Sequence, residues 1–141
     1  MIIVVSGGFD PLHSGHINMF KQANEFGSVW AIVNTDEWLQ RKKGYNVLSY
    51  SERSLIVESN KYIDKIIKGM DDNDNVVRNL QYLYKDKVHF AFANGGDRVP
   101  SSTPEMTYCF EHNIPMLFNI GGTKTESSSK IVRNLLDQAT K

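Results

Sequence analysis

The chain has 141 residues, 40% of them hydrophobic, a size that suits one domain built around a single core. Sixteen basic and sixteen acidic side chains cancel, so overall charge gives no reason to expect a nucleic-acid or membrane partner. A lone cysteine, Cys109, excludes an internal disulfide and a cysteine-based zinc cluster. No apolar run nears the roughly twenty residues of a membrane span and no signal peptide is visible, so a cytoplasmic protein is expected.

Residues 1–5 form an uncharged run, rich in Ile and Val and too short for a core helix, which predicts a strand buried on both faces. Gly7 and Gly8 follow at once, and glycine lets the backbone come close to a ligand. A helical pattern begins at Ser14 or Gly15 and runs to residue 26, with Gly27 as its stop. His13 and His16 therefore stand at a helix start, where unpaired N–H groups and the helix dipole favour an anion. Two imidazoles three residues apart share a face there, ready to donate to phosphate oxygens.

A second strand is expected over residues 29–33, followed by the turn Asn34-Thr35-Asp36 and a basic loop, Arg41-Lys42-Lys43-Gly44. A helix opens at Ser51-Glu52-Arg53-Ser54, with Leu55, Ile56 and Val57 as its apolar positions, and a third strand covers residues 63–67. Asp71-Asp72-Asn73-Asp74 is expected to cap a helix carrying Val76, Val77, Leu80 and Leu83. The fourth strand, residues 88–93, ends at Asn94-Gly95-Gly96-Asp97. Pro104 suits the first turn of a helix running to about Glu111. A fifth strand at residues 116–120 and a last helix at residues 130–138 complete the chain.

Strands alternating with helices predict right-handed crossovers and a five-stranded parallel sheet covered on both faces, all in one domain over residues 1–141. In such sheets ligands bind beyond the carboxyl ends of the strands, where the strand order reverses. The chemistry-bearing segments, residues 7–16, 34–36, 95–97 and 123–129, all follow strands. The glycine spacing fits neither a dinucleotide fingerprint nor a P-loop. A histidine pair could also hold a metal, but His89 and His112 stand elsewhere and no third ligand is near, so no resident metal is expected.

The stretch Gly7-Gly8-Phe9-Asp10-Pro11-Leu12-His13-Ser14-Gly15-His16 resembles the first signature of the nucleotidylyltransferase superfamily that includes cytidylyltransferases and small adenylyltransferases. Ser127-Ser128-Ser129-Lys130-Ile131 resembles the second signature, and the likeness runs from Ile3 to about Val132. The resemblance implies a Rossmann-like three-layer fold. It implies catalytic roles for His13 and His16, for Ser128, and for a lysine of the basic run, with Lys43 favoured over Lys42. Gly7, Gly8, Phe9, Gly95, Asp97, Lys124, Ser127 and Ser129 would then bind the nucleotide, with Asp97 accepting from ribose hydroxyls. Asp10, Asp36, Arg53 and Lys61 would serve the acceptor, although Arg53, in a Tyr-x-x-Arg helix start, reads equally as structural.

The implied reaction is transfer of CMP from CTP to a small phosphorylated acceptor, a polyol or sugar phosphate, with release of pyrophosphate. Mg²⁺ would be held mainly by the nucleotide phosphates. Lys61 and the Ser-Lys-Ile ending tilt the choice to CTP, while ATP stays open through the heptose-phosphate and pyridine-nucleotide branches. A homodimer is the implied assembly. Relatives commonly carry an arginine before the serines, where this chain has Gly122 or Lys124, and an aromatic where Arg98 stands. The missing arginine keeps a regulatory nucleotide binder without turnover as a rival reading, Arg98 points to substrate recognition unlike that of either branch, and a plain interaction scaffold is a third reading.

Overall fold

Short Val- and Ile-rich runs become strands here because both of their faces find helices to cover them. The computed structural model describes residues 1–70, 73–95, 103–121 and 127–140. In chain order they form β1 (Ile2–Gly7), α1 (Ser14–Asn24), β2 (Ser28–Val33), α2 (Asp36–Lys43), α3 (Tyr50–Glu58) and β3 (Ile63–Lys68). Then come α4 (Val77–Lys85), β4 (Phe90–Gly95), α5 (Pro104–Glu111), β5 (Met116–Ile120) and α6 (Ser128–Ala139). The five strands make one sheet, ordered β3-β2-β1-β4-β5, with every pairing parallel. The expected fold class is the one observed, a Rossmann-like three-layer α/β domain.

Side chains alternate between two cores. Ile3 and Val5 of β1, Val29, Ala31 and Val33 of β2, and Ala91 and Ala93 of β4 meet Phe20 and Ala23 of α1 and Val57 of α3. Val4, Ile32, Phe90 and Phe92 point the other way, onto Leu80 and Leu83 of α4 and Cys109 of α5. Alanines on the first face leave room for the rings of Phe9 and Phe20. The chain steps outward from β1 to β3, then crosses back to lay β4 and β5 on the other side of β1. With right-handed crossovers the covering helices must change face at that reversal. The switch point lies between the carboxyl ends of β1 and β4, which is where a ligand crevice forms.

Several local expectations are corrected. The basic run at residues 41–44 is not a loop but the last turn of α2 and its cap, with Gly44 left-handed at φ 82 and its amide donating to Gln40 O at 2.9 Å. Thr35 caps the other end, Asp36 and Glu37 fill the first turn, and the three basic residues fill the last, each complementing the helix dipole. With only one buried residue, Leu39, this helix leaves almost no apolar period to read. Leu55 and Ile56 are exposed at 58% and 40%, whereas Arg53, Ser54 and Val57 face inward. Three successive helical positions fan out around the axis, so they cannot share one buried face.

Gly27 does not terminate α1 through a left-handed cap. A Cβ there would lie 2.0 Å from the Met1 carbonyl oxygen, so glycine is what lets the start of β2 pass the start of β1. At α4 the capping groups are Asn75, whose side chain accepts from Val77 N, and Glu105, which accepts from Val76 N. Asp71 and Asp72 lie outside the described residues, and Asp74 instead pairs with Arg41 at 2.6 Å.

Among the described residues no helix is long and apolar enough to cross a membrane. Cys109 is fully buried, and desolvation pushes its thiol up to about 12. At pH 8 the folded protein is therefore expected to leave Ellman's reagent unreacted, with one thiol per chain appearing only on unfolding in guanidinium. Because the native thiol holds its proton more tightly than an unfolded one, its contribution to stability is full below about pH 9 and is lost as pH rises towards 12.

Candidate active site

β1 ends at Gly7, and the chain turns through residues 8–13 into α1. His13 is the N-cap of α1, and its Nδ1 accepts from Gly15 N at 3.1 Å. His16, three residues on, returns the contact, its Nδ1 accepting from His13 N at 3.2 Å. This is a capping box in which both reciprocating side chains are imidazoles rather than the usual hydroxyl and carboxylate. With both Nδ1 lone pairs engaged by backbone N–H groups, the neutral rings carry their protons on Nε2. The ring centroids are 3.9 Å apart and tilted by 33°. Capping thus sets tautomer and orientation together, and gives each ring an Nε2–H donor at a helix N-terminus.

Phe9 holds this pair from below. Its ring meets His16 edge-on at 5.1 Å and Phe20 at 5.5 Å, and only 3% of the residue is exposed. Phe9, expected among the nucleotide-binding residues, is a core residue whose ring buttresses His16. A Cβ on Gly7 would sit 3.1 Å from the Phe9 ring, and one on Gly8 would sit 2.9 Å from Leu39 Cδ2. The two glycines make room for the side chains of Phe9 and Leu39.

Asp10 and Arg53, expected on the acceptor side, are both buried and both engaged by the protein. The Asp10 carboxylate accepts from Val47 N at 2.6 Å and Leu48 N at 2.7 Å, pinning the segment that leads into α3. Arg53 donates from Nε to Leu48 O, from one terminal nitrogen to Gly8 O and Asn34 O, and from the other to Asp36 Oδ1, all within 3.0 Å. One guanidinium therefore ties α3 to the carboxyl ends of β1 and β2 and to the start of α2. Its role is positioning; it has 0% exposure to offer a substrate. Asp36, more open, is the charged partner in that knot. Tyr50 packs beside it, and burial raises its hydroxyl above the usual tyrosine range, against an opposing effect of Arg53 and a smaller upward one from Glu58.

The second signature segment is brought to the first. Ser127 caps α6, its Oγ accepting from Lys130 N at 3.0 Å, while Ser128 Oγ donates to Pro11 O at 2.9 Å. Two helix N-termini, those of α1 and α6, are thereby joined through one hydrogen bond. Ser128, expected among the catalytic residues, spends its hydroxyl proton on Pro11 O in this structure. Ser129, on the first turn of α6, is exposed. Gly121, left-handed at φ 95, packs on Met19, and its amide donates to Gln22 Oε1, which fixes the exit of β5 against α1.

On α2, Lys42 lies over the Trp38 ring at 5.9 Å, whereas Lys43 stands one helical turn from Leu39, the residue packed on Gly8. Lys61, expected on the acceptor side, precedes β3 at the amino end of the sheet, with its ammonium over Tyr62 at 5.1 Å, so the structure does not bring it to the histidines. Gly95 closes β4 at the switch point, while Asp97 and Lys124 lie outside the described residues. The sequence reading missed the carbonyls of Pro11 and Asn34, because an acceptor on the main chain has no residue type to announce it. Among the described residues no cluster of three His, Cys, Asp or Glu is arranged to hold a metal.

Two helix starts and two imidazoles thus stand together at the carboxyl end of the central strand of a parallel α/β sheet. Residues 4–134 match the cytidylyltransferase-like family, and the chain belongs to it. It is 40% identical over 68 residues to glycerol-3-phosphate cytidylyltransferase of Bacillus subtilis (strain 168), covering 46% of this chain and 51% of that protein. FAD synthase of Archaeoglobus fulgidus is 32% identical over 85 residues, covering 60% of this chain and 61% of that one. Ethanolamine-phosphate cytidylyltransferase of Dictyostelium discoideum is 37% identical over 68 residues, 48% of this chain and 19% of that protein. The chain thus spans from about a fifth to about three-fifths of the length of these relatives. The crystal structure of a lipopolysaccharide core biosynthesis protein from Thermoplasma volcanium GSS1 shares the fold, with a TM-score of 0.68 at 18% identity, covering 84% of this chain and 95% of that one.

Proposed function

We propose that the protein transfers a nucleotide monophosphate from a nucleoside triphosphate, CTP in preference to ATP, to a small phosphorylated acceptor. The observation that carries this reading is the double-imidazole capping box. Holding both Nδ1 atoms as acceptors puts the ring proton of each neutral imidazole on Nε2 at a helix start, a donor set that suits a pentacoordinate α-phosphate. An acceptor phosphate oxygen, already ionised at neutral pH, attacks the α-phosphorus. The bond to the bridging oxygen breaks and its electron pair leaves with pyrophosphate, so no general base is needed. His13 and His16 donate to the α-phosphate as charge builds, Lys43 adds a cation from α2, and the paired N-termini of α1 and α6 receive the leaving diphosphate.

Mg²⁺ fits as a passenger of the nucleotide. The buried Asp10 carboxylate is spent on backbone amides and Asp36 on Arg53, so the ion's ligands would be phosphate oxygens and water. When bound it neutralises charge on the triphosphate.

The test measures pyrophosphate release with CTP or ATP, Mg²⁺ and a panel of phosphorylated polyols, amino alcohols and sugars, beside nucleotide binding by calorimetry. Acceptor-dependent release is the expected result, greater with CTP. Binding without release in any pairing would favour the regulatory reading, and absence of nucleotide binding would leave only a scaffold.

A further inference from the structure

We propose that Lys68, supported by Tyr50, is the residue that recognises the phosphomonoester group of the acceptor; the assignment rests on the transfer reading above and names the substrate contact within it. Lys68 is the last residue of β3, at the carboxyl end of the sheet, and its ammonium lies 4.9 Å from the centre of the Tyr50 ring. The next amide, Gly69 N, donates to Val33 O at 2.8 Å, so the strand end is locked to β2 at this point. Tyr50 is itself held, half-buried against the core on the α1 and α3 face, with the Arg53 guanidinium 5.9 Å from its ring centre. Arg53 in turn grips Gly8 O and Asn34 O at the ends of β1 and β2. The lysine is therefore mounted on the same rigid knot that shapes the crevice.

Two features set Lys68 apart from the other lysines of this edge. Lys65 stacks on Trp30 and Lys61 on Tyr62, but neither is at the strand's carboxyl end. Among the described residues no carboxylate pairs with Lys68, while the neighbouring Arg53 charge is already met by Asp36. The exposed ammonium is thus a positive charge at this strand end that an incoming dianion would meet.

Geometry assigns that dianion to the acceptor rather than the nucleotide. The histidines follow the central strand β1, and the paired starts of α1 and α6 connect to the β4 and β5 half through Ser128, Pro11 and Gly121. Lys68 closes the opposite half. Attacking and leaving oxygens stand on opposite sides of the transferred phosphorus, so a pyrophosphate leaving towards α6 places the nucleophilic phosphate towards β3.

The test uses the full chain with glycerol 3-phosphate as the probe phosphomonoester, titrated calorimetrically with and without a non-hydrolysable CTP analogue. Lys68→Met keeps the apolar stem over Tyr50 and removes the charge; Lys68→Arg keeps the charge. Loss of one charge-assisted contact is expected to weaken glycerol 3-phosphate binding roughly tenfold in Lys68→Met, with Lys68→Arg recovering most of it and nucleotide affinity unchanged in both. Equal probe binding by wild type and Lys68→Met, no probe binding by wild type, or a loss of nucleotide affinity in its place would each overturn the assignment. Lys68-dependent probe binding in a protein that binds no nucleotide would sink the transfer reading and leave the phosphomonoester site standing.

Discussion

His13→Asn is expected to slow nucleotidylyl transfer about 10²- to 10³-fold while leaving the thermal midpoint almost unchanged. The two halves of that result come from opposite ends of one ring. Nδ1 caps α1 by accepting from Gly15 N, and an asparagine Oδ1 occupies nearly the same place and is among the best N-cap acceptors. Nε2, on the far side of the ring, is the donor assigned to the α-phosphate, and asparagine has no atom that reaches as far. His13→Ala loses both functions, so it should show the same kinetic defect and a further stability cost of about 1 kcal/mol. Steady-state kinetics beside urea denaturation separates these effects. If His13→Asn turned over normally, the imidazole would be a cap and nothing more.

Arg53→Ala is expected to be the most damaging single change to stability, on the order of 3–5 kcal/mol. Its guanidinium is fully buried and answers three carbonyls and one carboxylate, all of which would be left without a donor. Arg53→Lys does not rescue the knot, because a single ammonium cannot span acceptors drawn from β1, β2, α2 and the segment before α3. A cost of about 1–3 kcal/mol is expected for it. The midpoint of urea unfolding, at unchanged slope, is the measure. A midpoint within error of wild type in Arg53→Lys would show that the fork geometry is dispensable. Activity should fall with stability here, since the same bonds hold the Gly8 turn beneath the histidines.

Much of the plan was legible because strand burial is written in composition. Residues 1–5 and 29–33 are apolar on both alternations, which suits a sheet covered on two sides. The histidine pair was legible for a related reason: a helix start needs acceptors, and the two imidazoles fill those positions at the spacing of a capping box. Helix α2 was not, because eight residues with one buried side chain carry too little periodicity to separate a helix from a charged loop. Leu55 and Ile56 misled for the converse reason, being apolar but turned to solvent, while the charged Arg53 was the buried neighbour.

What the sequence determined by itself was the fold class, the helix start at His13 and the segments that could meet beyond the strand ends. These follow from local hydrogen-bonding needs and the side-chain period, which a residue carries wherever it is placed. Only the tertiary structure decided how each polar group is spent: Asp10 on two amides, Arg53 on four acceptors, Ser128 on Pro11, and Phe9 on propping a ring. A buried donor must be paired with some acceptor, but which one depends on backbone brought in from distant parts of the chain, and a carbonyl looks the same under every residue.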